Sequence, residues 1–166
     1  MKKAIIFVLL AVLVTDIFAS RTVMAMPSES LIRDNCGIAQ TTLLQIEKAD
    51  AVVRINRGHD YTEALNLMFA MNARLATNQI AAPELTTVTA DFSKGFDDFR
   101  SHYDVYDDTI AQAISIKCTD HPVEFYVQLE RTRTARAVLR SDIDTLNTHV
   151  RTYYDKFDTL IHEAGL

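Results

Sequence analysis

The sequence predicts an all-α protein, an elongated antiparallel three-helix bundle of coiled-coil character. Three observations carry this reading. Apolar residues recur at alternating spacings of three and four over most of the chain, the signature of helices with one buried stripe. No run alternates with period two for long enough to make a strand. Four glycines and three prolines in 166 residues leave little material for long loops.

The chain opens with Lys2 and Lys3, followed by an unbroken apolar run from Ala4 to Val14. That run has the length of a signal-peptide core and falls short of the ~20 residues a spanning helix needs. The expected organisation is a signal peptide over residues 1–25, ending at Ala25, and a single helical-bundle domain over 26–166. Ala19 is the second cleavage candidate, and a retained signal anchor is the alternative to cleavage. Removing Lys2, Lys3, Arg21 and Asp16 from 17 basic and 22 acidic side chains leaves 14 and 21, a formal charge of −7. Nucleic acid is not expected as a partner, because it requires a basic footprint. Stable membrane insertion after cleavage is not expected either.

The first helix begins near Ile32. Apolar positions follow at Cys36, Ala39, Leu43, Ile46 and Val53, with Asp50 the only exception in the series. Gly58 and His59 interrupt the pattern, and Asp60 with Glu63 three residues on resembles a capping box that restarts a helix through Ala64, Met68, Met71 and Leu75. The first helix is therefore expected to be kinked or broken near residues 57–60, and a full break gives four helical segments. A polar turn from Asn78 to Pro83 precedes the second long helix. There Leu85, Val88, Phe92, Phe96, Phe99, Tyr103, Tyr106, Ile110 and Ala113 keep the heptad alternation for ~30 residues. Cys118 to Pro122 ends that stretch, with Pro122 suited to the first turn of the next helix. The last helix runs from Phe125 through Leu139, Leu146 and Tyr153 to Leu160, with Gly165 past its end.

The two cysteines choose between topologies. Cys36 and Cys118 are the only thiols in a chain expected to be exported, and so are expected to form a disulfide. A disulfide requires Cα atoms within ~7 Å. Four short antiparallel helices would leave Cys36 and Cys118 at opposite ends, whereas three long helices bring them to the same end. The match leaves a mismatch of about eight residues, or ~12 Å, which a bend at 57–60 would absorb.

Folding the second long helix against the last one about the Cys118–Pro122 turn sets side by side residues whose numbers add to about 240. Asp107 is thereby expected opposite Arg133, and Asp104 opposite Arg136, as structural ion pairs that fix register. Arg131, Arg133, Arg136 and Arg140 also admit an anion-site reading, with structural pairing preferred. The aromatics Phe92, Phe96, Phe99, Tyr103 and Tyr106 are either core or the lining of an interhelical ligand cleft.

Catalytic signals are sparse. His59, His102, His121, His149 and His162 form no His-x-x-x-His or Glu-x-x-His pair, glycine-rich phosphate loops are missing, and the cysteines are not a Cys-x-x-Cys. No enzyme activity, metal or cofactor is expected. Arg54, Asn56, Arg57, Gly58 and Tyr61, followed by Cys118, Pro122, Phe125 and Tyr126, resemble the pattern of uncharacterised small secreted helical-bundle proteins of bacteria with reduced genomes. The resemblance implies no activity; it implies that the Arg57–Tyr61 break and the Cys118–Pro122 turn are architectural landmarks. The expected function is that of an exported non-catalytic envelope or extracellular module that binds a protein partner or a second copy of itself. The alternative is a binder of small hydrophobic ligands using the aromatic interhelical core.

Overall fold

The computed structural model of the protein describes residues 26–164. The expected leader with its candidate cleavage positions, Ala19 and Ala25, and Gly165 lie outside the described residues. Four helices follow one another: α1 (Glu29–Asp34), α2 (Cys36–Thr77), α3 (Pro83–Ser115) and α4 (Pro122–Ala164). No strand occurs among the described residues. The long helices α2, α3 and α4 run up, down and up as an all-α bundle. Among the described residues no helix is long and apolar enough to cross a membrane.

The break expected at residues 57–60 is not there. α2 is one helix of 42 residues, ~63 Å long, and the only interruption near it is Asn35, which separates α1 from α2. Asn35 turns back on its own helix, its Nδ2 donating to the Leu31 carbonyl at 2.8 Å, the side-chain competition that makes asparagine a helix terminator. What the sequence displays at 57–60 is a change of phase. Cys36 and Leu43 are buried seven residues apart, as are Tyr61, Met68 and Leu75, but Leu43 and Tyr61 are separated by two heptads and four further residues. Such a four-residue stutter locally unwinds the supercoil without breaking the helix.

The length mismatch is taken up elsewhere. α2 exceeds the 33-residue α3 by nine residues, ~13 Å of helix. Ile116 leaves α3 with extended backbone (φ −77°, ψ 123°). Residues 116–118, at up to ~3.3 Å each, recover most of the deficit. Gln40 Nε2 donates to the Ile116 carbonyl at 2.8 Å and ties this exit to the start of α2. Cys36 and Cys118 then lie at disulfide-bonding distance, Cα atoms 5.7 Å apart, both buried.

The turns follow from local chemistry. α2 ends in a Schellman motif: Ile80 N–H donates to Leu75 O at 2.9 Å and Gln79 N–H to Ala76 O at 3.0 Å. This geometry places Gln79 in the left-handed region at φ 59°. Pro122 opens α4, and the Phe125 amide donates to the His121 carbonyl at 3.0 Å. The chain thus turns at Cys118–Pro122, while Arg57–Tyr61 is helical throughout.

α3 is the spine of the core. Ten of its residues are buried, from Leu85 to Ala113, including all five aromatics of the expected stripe. α4 contributes Phe125, Thr132, Leu139, Leu146 and Tyr153 at heptad spacing, with Gln128 also buried. α3 and α4 pack closely along their length. Gly95 assists: a Cβ there would meet Leu146 Cδ2 at 3.4 Å, so the glycine lets that leucine lie against the α3 backbone.

Candidate functional site

The expected register of α3 against α4 holds, but the ion pairs assigned to it do not form. Glu84 pairs with Lys156, His102 Nδ1 lies 2.8 Å from Asp142 Oδ2, and Thr132 Oγ1 donates to the Thr109 carbonyl at 3.0 Å. Each pair has residue numbers adding to roughly the expected 240. Arg133 instead pairs with Glu130 one turn earlier on its own helix, and Asp107 makes no salt bridge among the described residues. Asp104 lies 3.9 Å from Arg54 of α2. α3 has two neighbours, so an acid beside its seam is shared between α4 and α2; Asp104 belongs to the α2 side.

Arg136 takes a different partner from the one expected. Its Nε and Nη2 donate to Asp50 Oδ2 and Oδ1, both at 3.0 Å, a bidentate fork from α4 to α2. Tyr106 of α3 donates its hydroxyl to the same Asp50 Oδ2 at 2.6 Å. One carboxylate thus gathers donors from both other helices. Arg136 remains half exposed while Asp50 is largely covered, with side-chain exposures of 51% and 19%. Burial, and then the hydrogen bond to Asp50, push the Tyr106 phenol above its ordinary value; the same carboxylate raises the Arg136 guanidinium. The phenol stays neutral and the guanidinium charged across the physiological range.

The sequence carried a signal for this contact. Asp50 is the one acid on the apolar seam of α2, and Arg136 the one arginine on that of α4. Two charges displaced from two seams meet in the interior between them. A second polar chain crosses all three helices further along. Tyr153 OH donates to Asn72 Oδ1 at 2.9 Å, Asn72 Nδ2 to Thr89 Oγ1 at 2.9 Å, and Thr89 Oγ1 to the Leu85 carbonyl at 2.8 Å. Asn72 gave no sequence signal, since exposed asparagines on helices are ordinary.

The aromatic stripe is packed core. Phe92, Phe96, Phe99, Tyr103 and Tyr106 are all at most 5% exposed. Tyr61 of α2 lies edge-on to Phe92, Phe96 and Phe99 at centroid distances of 6.0, 5.7 and 5.7 Å, the favoured aromatic geometry. Arg54 stacks over Tyr103 at 4.7 Å and Arg100 over Phe96 at 3.8 Å, closing the rim.

Beside Asp50 and Arg136, a groove of about 460 Å³ runs between α2 and α4 with Phe99, Tyr103 and Tyr106 as its floor. Its walls carry Arg54 and Arg57 from α2 and Arg140 from α4. Arg57 Nη1 donates to Tyr61 OH at 3.2 Å, and its Nε is buried without an acceptor among the described residues. The histidines are dispersed: His59 pairs with Glu63 and His102 with Asp142, while Lys94 occupies Asp98. Among the described residues no three His, Cys, Asp or Glu side chains gather as a metal site would require. No protein-family model, curated protein or solved structure matches the chain.

Proposed function

We propose that this is an exported, non-catalytic helical-bundle module that binds another helix, from a protein partner or a second copy, along the outer face of α2. The observation that carries the reading is that α2 exposes large apolar side chains outside its buried seam: Ile38, Val52, Ile55 and Phe69 are 73%, 58%, 67% and 54% exposed. Large apolar side chains this exposed on a helix that already buries a seam are unusual among surface helices, whose outer faces are polar. Export is supported by the cysteine pair, whose 5.7 Å Cα separation suits a bond that persists in oxidising compartments. The ligand-binding alternative draws no support from an aromatic stripe filled by its own rings.

Sedimentation equilibrium of the protein and of an Ile55→Glu/Phe69→Glu double variant, with proximity labelling in the native cell, tests the reading. The expected result is an assembly or a labelled envelope partner that the double variant loses while its helical circular dichroism is unchanged. A monomer whose labelling pattern is the same in both forms contradicts it.

A further inference from the structure

The groove between α2 and α4 is not an isolated depression. Along the same side, a hollow of about 270 Å³ lies beside it towards the cysteine pair, sharing Tyr106 and Arg136. Another of about 420 Å³ lies towards the far end, walled by Leu67, Met71, Tyr154 and Phe157, with the carboxylates of Asp60 and Glu63 also in its lining. The end hollows are mainly apolar, each with two charged side chains in its lining (Arg133 and Arg136 in one, Asp60 and Glu63 in the other), and the middle one holds the most charge. Four arginines and two aspartates line it, a local charge of +2 in a chain whose formal charge is −5.

Two of these arginines are already engaged. Arg136 is held by Asp50, and Arg54 lies over Tyr103 near Asp104. The other two are not neutralised. Arg57 donates only to the neutral hydroxyl of Tyr61, and Arg140 makes no hydrogen bond or salt bridge among the described residues, although Asp144 lines the same groove. Arg57 is partly buried with its Nε unpartnered, which is costly, and Arg140 stands exposed on the opposite wall without a carboxylate bonded to it; the two guanidinium groups across a groove floored by aromatic rings match an incoming anion.

We propose that this trough binds a small amphipathic anion, a carboxylate or phosphate head on an apolar body. The head lies between Arg57 and Arg140, and the body lies along the apolar hollow of Leu67, Met71, Tyr154 and Phe157. The volumes fit one such molecule, since ligand sites commonly occupy about 300–1,000 Å³. The site lies between α2 and α4 and has none of Ile38, Val52, Ile55 and Phe69 in its lining, so either assignment can fail without the other.

Isothermal titration with decanoate and decyl phosphate, each below its micelle concentration, tests the site, with decanol and inorganic phosphate as controls. At least one of the two anions binds, and the tighter identifies the head group. Arg57→Gln and Arg140→Gln each weaken it by about tenfold or more, whereas Arg74→Gln, remote on α2, leaves it unchanged. Decanol and inorganic phosphate bind at least about tenfold more weakly, because each supplies half of the recognition. If Arg57→Gln does not fold, the exposed Arg140→Gln variant carries the test alone. Equal affinity for decanol, an unchanged affinity in Arg140→Gln, or no binding of either anion overturns the proposal.

Discussion

The α3–α4 pair and the α2 rod are built from similar residues but are held in different ways. α3 and α4 approach closely, helped by Gly95, and α4 bonds directly to the α3 backbone where Gln128 Nε2 and Thr132 Oγ1 both donate to the Thr109 carbonyl. α2 leans on α3 along one side and is held from α4 by long side chains, leaving the trough between. Its attachments are discrete: the cysteine pair at one end, Asp50 with Arg136 and Tyr106, the Tyr61 rings, and Asn72 with Tyr153. A continuous interface makes a cooperative core. A series of point attachments makes a strut that can be loosened one site at a time.

The largest expected effect follows from cutting the end attachment. Replacing both cysteines by serine frees a loop with a sequence separation of 82 and should cost about 4.5 kcal/mol in the chain-entropy model. Urea denaturation of oxidised and double-serine protein measures it. Next, Leu146→Ala in the close pair should cost about 3 kcal/mol, and Leu43→Ala on α2 about 2 kcal/mol, because a loosely seated site collapses more readily around a cavity. Equal costs would remove the distinction between the two regions. Asp50→Ala strands the Arg136 guanidinium and the Tyr106 hydroxyl and should cost about 2 kcal/mol, reduced by the exposure of Arg136. Asp50→Asn should recover part of that loss.

Alkaline pH should loosen the interior. Burial raises the phenols of Tyr103, Tyr106 and Tyr153, so the native protein retains protons that the unfolded chain releases. Their stabilisation is complete below about pH 10 and is lost as pH rises from there through each raised native value, most of it from Tyr106, whose shift is the large one. Tyr106→Phe should flatten the decline seen in urea midpoints measured on either side of about pH 10. The smallest effect concerns Gly58. A Cβ there meets nothing within 4 Å, and the position is interior to a helix, so Gly58→Ala should stabilise by about 0.5–1 kcal/mol. A destabilised variant would mean that the position needs a glycine conformation.

The spine of the fold was legible because α3 repeats its apolar positions with little error, and each of those residues is buried. The cysteines were informative because their separation must match two helix lengths. The phase change in α2 was legible too, but a stutter and a break look alike in a list of apolar positions: both displace the stripe, and Gly58 and the Asp60–Glu63 pair favour the wrong one. The ion pairs were not legible because a register between two helices leaves out the third. Asp104 had a nearer arginine on the third. Arg57 and Arg140 gave little signal, since the distinction between paired and unpaired guanidinium groups arises only when three helices are assembled.

The central claim is that α2 is one uninterrupted strut fastened at its end by the cysteine pair. Native-state hydrogen exchange on oxidised and reduced protein tests it residue by residue. The expected result is protection of the oxidised protein continuing through residues 57–60, and, on reduction, faster exchange in α2 while α3 and α4 retain theirs. Rapid exchange at 57–60 in the oxidised protein, or a uniform loss across all three long helices on reduction, contradicts it.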